Sequence, residues 1–243
     1  MSTKADPCTT ASPMPSDEYL IDLIVDQVKL VLGADSRTAP QEIEVRNGVP
    51  RIPLGVSNRH IHLTSETFHV LFGEKAEFES MRPLYQPGEF ASRHMLAIAG
   101  PKLRTIPNVR ILGPLRKYDQ VEVSLTDAIF LGVDPPVANS GTLDNAAPLT
   151  LIGPNGSVYL ERCAIVASRH IHMTGSDART LGVRDGDLCR VRVGGEKPTL
   201  FENVLIRTND GWRLQIHLDT DDANAANIRE DTSVEFLGKM EKR

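Results

Sequence analysis

Four of the chain's seven histidines fall in two copies of one phrase. Asn58-Arg59-His60-Ile61-His62-Leu63-Thr64 returns as Ser168-Arg169-His170-Ile171-His172-Met173-Thr174, 170 − 60 = 110 positions later. In a strand, residues i and i+2 point to the same face. Strand-forming residues precede both phrases: Ile52, Leu54 and Val56 before one, Ile165 and Val166 before the other. His-x-His on a strand aims two imidazoles at one point, which is the arrangement of a metal-ligand pair. Imidazole with carboxylate suits Zn²⁺, and three protein ligands leave a fourth position open for substrate. One such pair alone is more often structural, or a surface feature that binds nothing. Two identical pairs, each preceded by Arg, signal an internal repeat and favour the metal reading.

Each pair needs a third ligand. His69, His94 and His217 remain, with the carboxylates. His217 lies in Leu214-Gln215-Ile216-His217-Leu218, where the aliphatic residues share one strand face and His217 points opposite, with Gln215. Glu122 lies in Gln120-Val121-Glu122-Val123, again opposite the valines. Spacing does not choose among these candidates. Arg116 follows a Gly-Pro turn just upstream of Glu122. A guanidinium beside a metal suits an anionic substrate, phosphate especially.

The elements that must position these residues are mostly strands. Arg51 to Asn58, Met95 to Ala99, Val109 to Leu112 and Gln120 to Leu125 alternate like strands, with Ser65 to Phe72 as a short helix. A second set runs through Thr150 to Ile152, Ser157 to Leu160, Cys163 to Ala167, Leu188 to Val193, Val204 to Arg207 and Arg213 to Leu218. Leu181-Gly182-Val183-Arg184-Asp185-Gly186-Asp187 reads as a turn between a short helix and a strand, and Leu131-Gly132-Val133-Asp134 echoes it. Many short strands with few helices predict a mainly β fold of two small β-barrels capped by short helices.

The N-terminal region is different in kind. Residues 1–15 are rich in Ser, Thr and Pro, which predicts a disordered leader. From Asp17 to Leu32 an amphipathic helix is expected, with Leu20, Ile21, Ile24, Val25, Val28 and Val31 on one broad face. Residues 34–47 read as a linker. Such a helix cannot bury its stripe alone, so it packs on its own chain or a dimer mate, or docks on another protein.

The 243 residues carry a net charge of −5, so no overall basic footprint points to nucleic acid. No apolar run has the length of a membrane span, and the N-terminus has no signal-peptide core. Cys8, Cys163 and Cys189 form no Cys-x-x-Cys, which suits a reducing cytosol better than a disulfide framework.

Taken in order, Gly55 through His62, Val109 through Arg116, Gln120-Val121-Glu122, Ala167 through Met173 and His217 through Ala226 resemble the PduL family of phosphate acyltransferases. The resemblance covers residues 49–227. It implies exchange between an acyl-CoA and phosphate, giving acyl phosphate and CoA, with propanoyl and acetyl groups as usual substrates. It implies two zinc ions per chain between two interleaved barrels: residues 59–167 in the central one, and 49–58 with 168–238 in the other. His60, His62 and Glu122 would hold one zinc; His170, His172 and His217 would hold the second. Arg116 would bind phosphate and act in catalysis. CoA contacts would fall on Val56, Ser57, Asn58, Lys102, Arg110 and Asn224. Relatives often carry an N-terminal helix that targets them into bacterial microcompartments. That implies a cytoplasmic enzyme inside such a compartment, with a shell or core protein as partner, and leaves a homo-oligomer open. The same ligands would also serve a dizinc thioester hydrolase, and a barrel with four protein ligands on each zinc would be a non-catalytic module.

Overall fold

A computed structural model describes residues 42–229 and 232–241. The expected leader and the helix from Asp17 to Leu32 lie outside the described residues. In chain order the strands and helices are β1 (Val45–Arg46), β2 (Val49–Ile52), β3 (Leu54–Ser57), β4 (His60–His62), α1 (Ser65–Phe72), β5 (Ser80–Pro83), β6 (Phe90–Ala99), β7 (Thr105–Gly113), β8 (Gln120–Glu122) and α2 (Leu125–Leu131). Then follow β9 (Val137–Ala138), β10 (Ala147–Ile152), β11 (Ser157–Ala167), β12 (His170–Met173), α3 (Gly175–Leu181), β13 (Leu188–Val193), β14 (Thr199–Thr208), β15 (Gln215–Asp219), α4 (Thr220–Ala225) and β16 (Val234–Lys239).

The strands form two sheets. In the first the order is β10-β11-β8-β4-β7-β6, and β6 pairs back onto β10, so six strands close into a barrel. The second runs β1-β2-β16-β13-β14-β12-β15-β3 and stays open, curled into a half-barrel. The mainly β expectation is met, with one barrel closed by pairing and one not. Both sheets fall in one compact unit, Pro40–Arg243. Each sheet wraps its own apolar core. Ile61, Leu63, Ile111 and Val121 sit in the first, and Ile171, Met173, Ile206 and Ile216 in the second, all fully buried. Each such side chain contributes about 1.5–3 kcal/mol by leaving water.

The two phrases sit where the chain crosses between sheets. β3 belongs to the second sheet and β4 to the first; β11 belongs to the first and β12 to the second. Within each phrase the middle Ile enters the core at 0% exposure, so the flanking histidines turn the other way. The parts that follow are duplicated too. Thr64 caps α1 and Thr174 caps α3, each side chain accepting from an N–H three residues on. β4 runs parallel to β7 and antiparallel to β8; β12 runs parallel to β14 and antiparallel to β15.

Two local expectations needed correction, and one helix was missed. The strand expected over Arg51 to Asn58 is divided at Pro53, which has no N–H to donate to the ladder. The strand expected over Gln120 to Leu125 ends at Glu122, because Ser124 opens α2 instead. Its hydroxyl accepts from the Asp127 N–H at 3.2 Å and its own N–H donates to the Asp127 carboxylate at 3.3 Å. α4 was not predicted at all. Its six residues bury no side chain, so no apolar period marks it, and it is started by Asp219 accepting from the Asp222 N–H at 2.8 Å.

Candidate functional site

Cross-strand register brings a third group to each His pair. His60 stands opposite Glu122 on β8, and His170 stands opposite His217 on β15. The ligand-capable atoms of His60, His62 and Glu122 all lie within 4.8 Å of one another, and so do those of His170, His172 and His217. Each group could hold a metal ion. His69 sits on α1, and His94 lies against Phe68, Phe72 and Phe78; neither joins the clusters.

Both triads line one cavity of about 430 Å³. The chemistry of the ring nitrogens suits cations. His60 Nδ1 donates to the Asn58 carbonyl at 2.8 Å, and His170 Nδ1 donates to the Ser168 carbonyl at 2.7 Å. A carbonyl only accepts, so each bond leaves Nε2 with its lone pair free for a ligand. The Nδ1 of His62 and both ring nitrogens of His172 are buried without any hydrogen-bond partner. Such orphaned buried nitrogens are uncommon, and a bound cation would satisfy the one lone pair that each neutral ring carries.

Four of these imidazoles, His62, His170, His172 and His217, are held in the neutral form. Burial, then the neighbouring His60 and Arg116, lowers His62 to about 2. Burial, with His170, His217 and two arginines adding to it, lowers His172 to about 2. Burial lowers His217 to about 3 and pulls His170 down as well. Neutral imidazole is the metal-binding form.

Two glutamines hold the third groups, and they are a signal the sequence reading did not use. Gln120, fully buried, donates to Glu122 at 2.7 Å and to Ser140 at 2.8 Å while accepting from the Gly141 N–H at 2.7 Å. Gln215 places its amide oxygen 2.9 Å from His217 Nε2. Gln-x-Glu and Gln-x-His are thus the same position of the repeat. Gly55 makes room for this: a Cβ there would stand 2.8 Å from the Gln215 amide nitrogen.

The arginine of each phrase is pinned in the same way. Arg59 makes a two-pronged pair with Asp127 of α2 at 2.8 and 2.7 Å, and Arg169 does so with Asp222 of α4 at 2.8 and 2.8 Å. In both cases the helix follows the strand that carries the third group. These clamps therefore tie each His strand to the strand of its partner. Neither aspartate was singled out from sequence.

A family model described as phosphate propanoyltransferase matches residues 53–229. The chain belongs to that family. It is 49% identical over 177 residues to the phosphate propanoyltransferase of Lachnoclostridium phytofermentans, covering 73% of this chain and 83% of that protein. It is 48% identical over 178 residues to that of Thermotoga maritima, covering 73% and 84%. With the relative from Alkaliphilus metalliredigens it shares 38% identity over 225 residues, 93% of this chain and 99% of the relative. Family membership makes this chain an acyltransferase.

The rest of the cavity suits a polyanionic substrate of such a transferase. Arg59, Arg82, Arg110, Arg116 and Arg207 line it, against Glu89 and Glu122. Arg116 is fixed by its N–H donating to the Leu63 carbonyl at 2.7 Å, and its guanidinium reaches Tyr118 at 2.9 Å and Glu89 at 3.0 Å. Val56, Ser57, Asn58 and Arg110 also line the cavity. Lys102 and Asn224 do not. Lys102 lies in the exposed turn between β6 and β7, its stem beside Gly132, and Asn224 is exposed on α4. Trp212, the single tryptophan, stacks on His172 at 4.1 Å, and the Arg207 guanidinium carbon lies over its ring, 5.3 Å from the centroid. Nothing in the local pattern marks Trp212 as part of the site.

Proposed function

We propose that the cavity exchanges coenzyme A for phosphate on a short acyl group, propanoyl or acetyl, with two zinc ions as cofactors. The observation that carries this reading is the convergence of both triads and Arg116 on one arginine-rich hollow. His60, His62 and Glu122 would hold one zinc, and His170, His172 and His217 the other. Bound zinc supplies Lewis acidity, which favours thiolate departure and polarises a carbonyl.

The chain's own residues bind and orient. Arg116 offers phosphate charge-assisted hydrogen bonds and aligns one of its oxygens with the thioester carbon. The new bond is acyl carbon to phosphate oxygen, and the bond broken is acyl carbon to sulfur, whose electron pair leaves with CoA. Val56, Ser57, Asn58 and Arg110 border the reacting end of CoA, and Lys102 and Asn224 are assigned to its distal end. No protein nucleophile is needed. Cys163 and Cys189 are fully buried, and burial pushes both thiols up to about 12.

The amphipathic segment from Asp17 to Leu32 is assigned to docking inside a bacterial microcompartment, on the strength of its apolar spacing and the family resemblance. The decisive experiment is CoA release from propanoyl-CoA with and without phosphate, before and after chelation. Release should require phosphate, yield an acyl phosphate that hydroxylamine traps, and vanish on chelation. Equal release without phosphate would mean thioester hydrolysis and overturn the reading.

A further inference from the structure

Glu89 is a carboxylate placed where an incoming anion should bind. Its Oε1 lies 3.0 Å from Arg116 Nη2, and both residues line the cavity. On the other nitrogen, Arg116 Nη1 donates to the Tyr118 hydroxyl at 2.9 Å. Glu89 is also held in place. The Leu84 N–H donates to the Glu89 carbonyl at 2.9 Å, and the Glu89 N–H donates to the Gln86 carbonyl at 3.2 Å.

That turn is anchored across the cavity. Gln86 is 3% exposed, and its amide both donates to the Arg213 carbonyl and accepts from the Arg213 N–H, each at 3.0 Å. Arg213 stands just before β15, in the second sheet. Glu89 therefore projects from a strap between the sheets. An anchored turn holds its side chain near the guanidinium.

A carboxylate is a monoanion with two acceptor oxygens. Phosphate near neutral pH carries more charge and more acceptor oxygens, so it competes better for a guanidinium. We propose that Glu89 is a specificity-determining residue: a built-in anion that occupies Arg116 until a multiply charged oxyanion displaces it. It lowers phosphate affinity, and in return short carboxylates and chloride are kept off Arg116. The proposal rests on the reading of Arg116 as the phosphate ligand.

The test uses the full chain loaded with zinc and compares wild type, Glu89→Gln, Glu89→Asp and Arg116→Ala. Glu89→Gln should lower the phosphate KM about two- to fivefold, the size expected for removing one partly exposed ion pair. It should leave the thioester KM unchanged and make propanoate an inhibitor competitive with phosphate. Titration calorimetry with inorganic phosphate should show the same tightening without turnover. Glu89→Asp keeps the charge and should stay close to wild type. A raised phosphate KM in Glu89→Gln would mean that the carboxylate only holds Arg116 in position, and the proposal fails. It fails too if phosphate KM and propanoate tolerance are both unchanged. Arg116→Ala separates the two levels. If it leaves the phosphate KM unaltered, the parent assignment of Arg116 is wrong, whatever Glu89→Gln does.

Discussion

Burial of neutral imidazoles should make the metal-free protein acid-sensitive. His62 and His172 titrate at about 2 and His217 at about 3 in the folded chain, against 6.5 for a free imidazole. The folded value lies below the unfolded one. Folding is therefore unopposed by these groups above pH 6.5, and stability falls as pH drops from there toward 3, because only the unfolded chain takes up the protons. Between pH 7 and 5.5 each unfolded imidazole gains about 1.2 kcal/mol from protonation. Three groups give about 4 kcal/mol, and allowing for water entering a loosened cavity the loss should be about 2–4 kcal/mol. His170 is lowered by burial as well and acts in the same direction. Urea unfolding of chelated protein at the two pH values measures this directly. His172→Phe keeps a ring against Trp212 and should remove about a quarter to a third of the pH effect. Equal stability of the metal-free wild type at pH 7 and 5.5 would refute the reasoning.

Other consequences are simpler to state. Asp127→Asn and Asp222→Asn each weaken one clamp, and each should cost about 1–2 kcal/mol, discounted for the exposed arginine. Zinc retention against a chelator should fall with it, and a variant unchanged in both melting and retention would remove the positioning role. Since Trp212 stacks on His172 at 4.1 Å, adding zinc to stripped protein should change its fluorescence. A flat titration would place the metal elsewhere. Cys163→Ala and Cys189→Ala should keep full turnover, measured by thiol release. A folded variant without activity would restore a thiol to the mechanism.

The parts of the site that were legible are those whose geometry is local. His60 and His62, or His170 and His172, share a face because a strand repeats every two residues, and the duplication made the pairing stand out. The third groups are not local. Glu122 is 122 − 60 = 62 positions from His60, and His217 is 217 − 170 = 47 from His170. What brings them opposite is strand register. Register depends on long-range pairing, which no window of sequence reports. The resemblance supplied those groups where the residues alone left several histidines and a carboxylate open. The Gln-x-Glu and Gln-x-His echo was visible, yet its meaning depends on knowing that both strands flank a His pair. Barrel closure through β6 and β10 was hidden for the same reason, and α4 because a six-residue helix without a buried face leaves no period.

The crossovers explain why two separate sheets can build one hollow. β8 lies between β4 and β11, and β15 lies between β12 and β3. Each third group thus neighbours the His strand of its own triad and the strand that leads into the other triad. Only Asn58-Arg59 separates β3 from β4, and only Ser168-Arg169 separates β11 from β12. From Ser57 to His60, or from Ala167 to His170, is three residue steps and so no more than about 11 Å, and the covalent chain itself limits how far the triads can part. The arginine at each crossover is then locked to the helix beyond the third group. Moving either His strand must therefore strain a crossover, a clamp and a neighbouring triad together. Two copies of a short phrase can specify a shared site because the chain is threaded through both sheets at those two points.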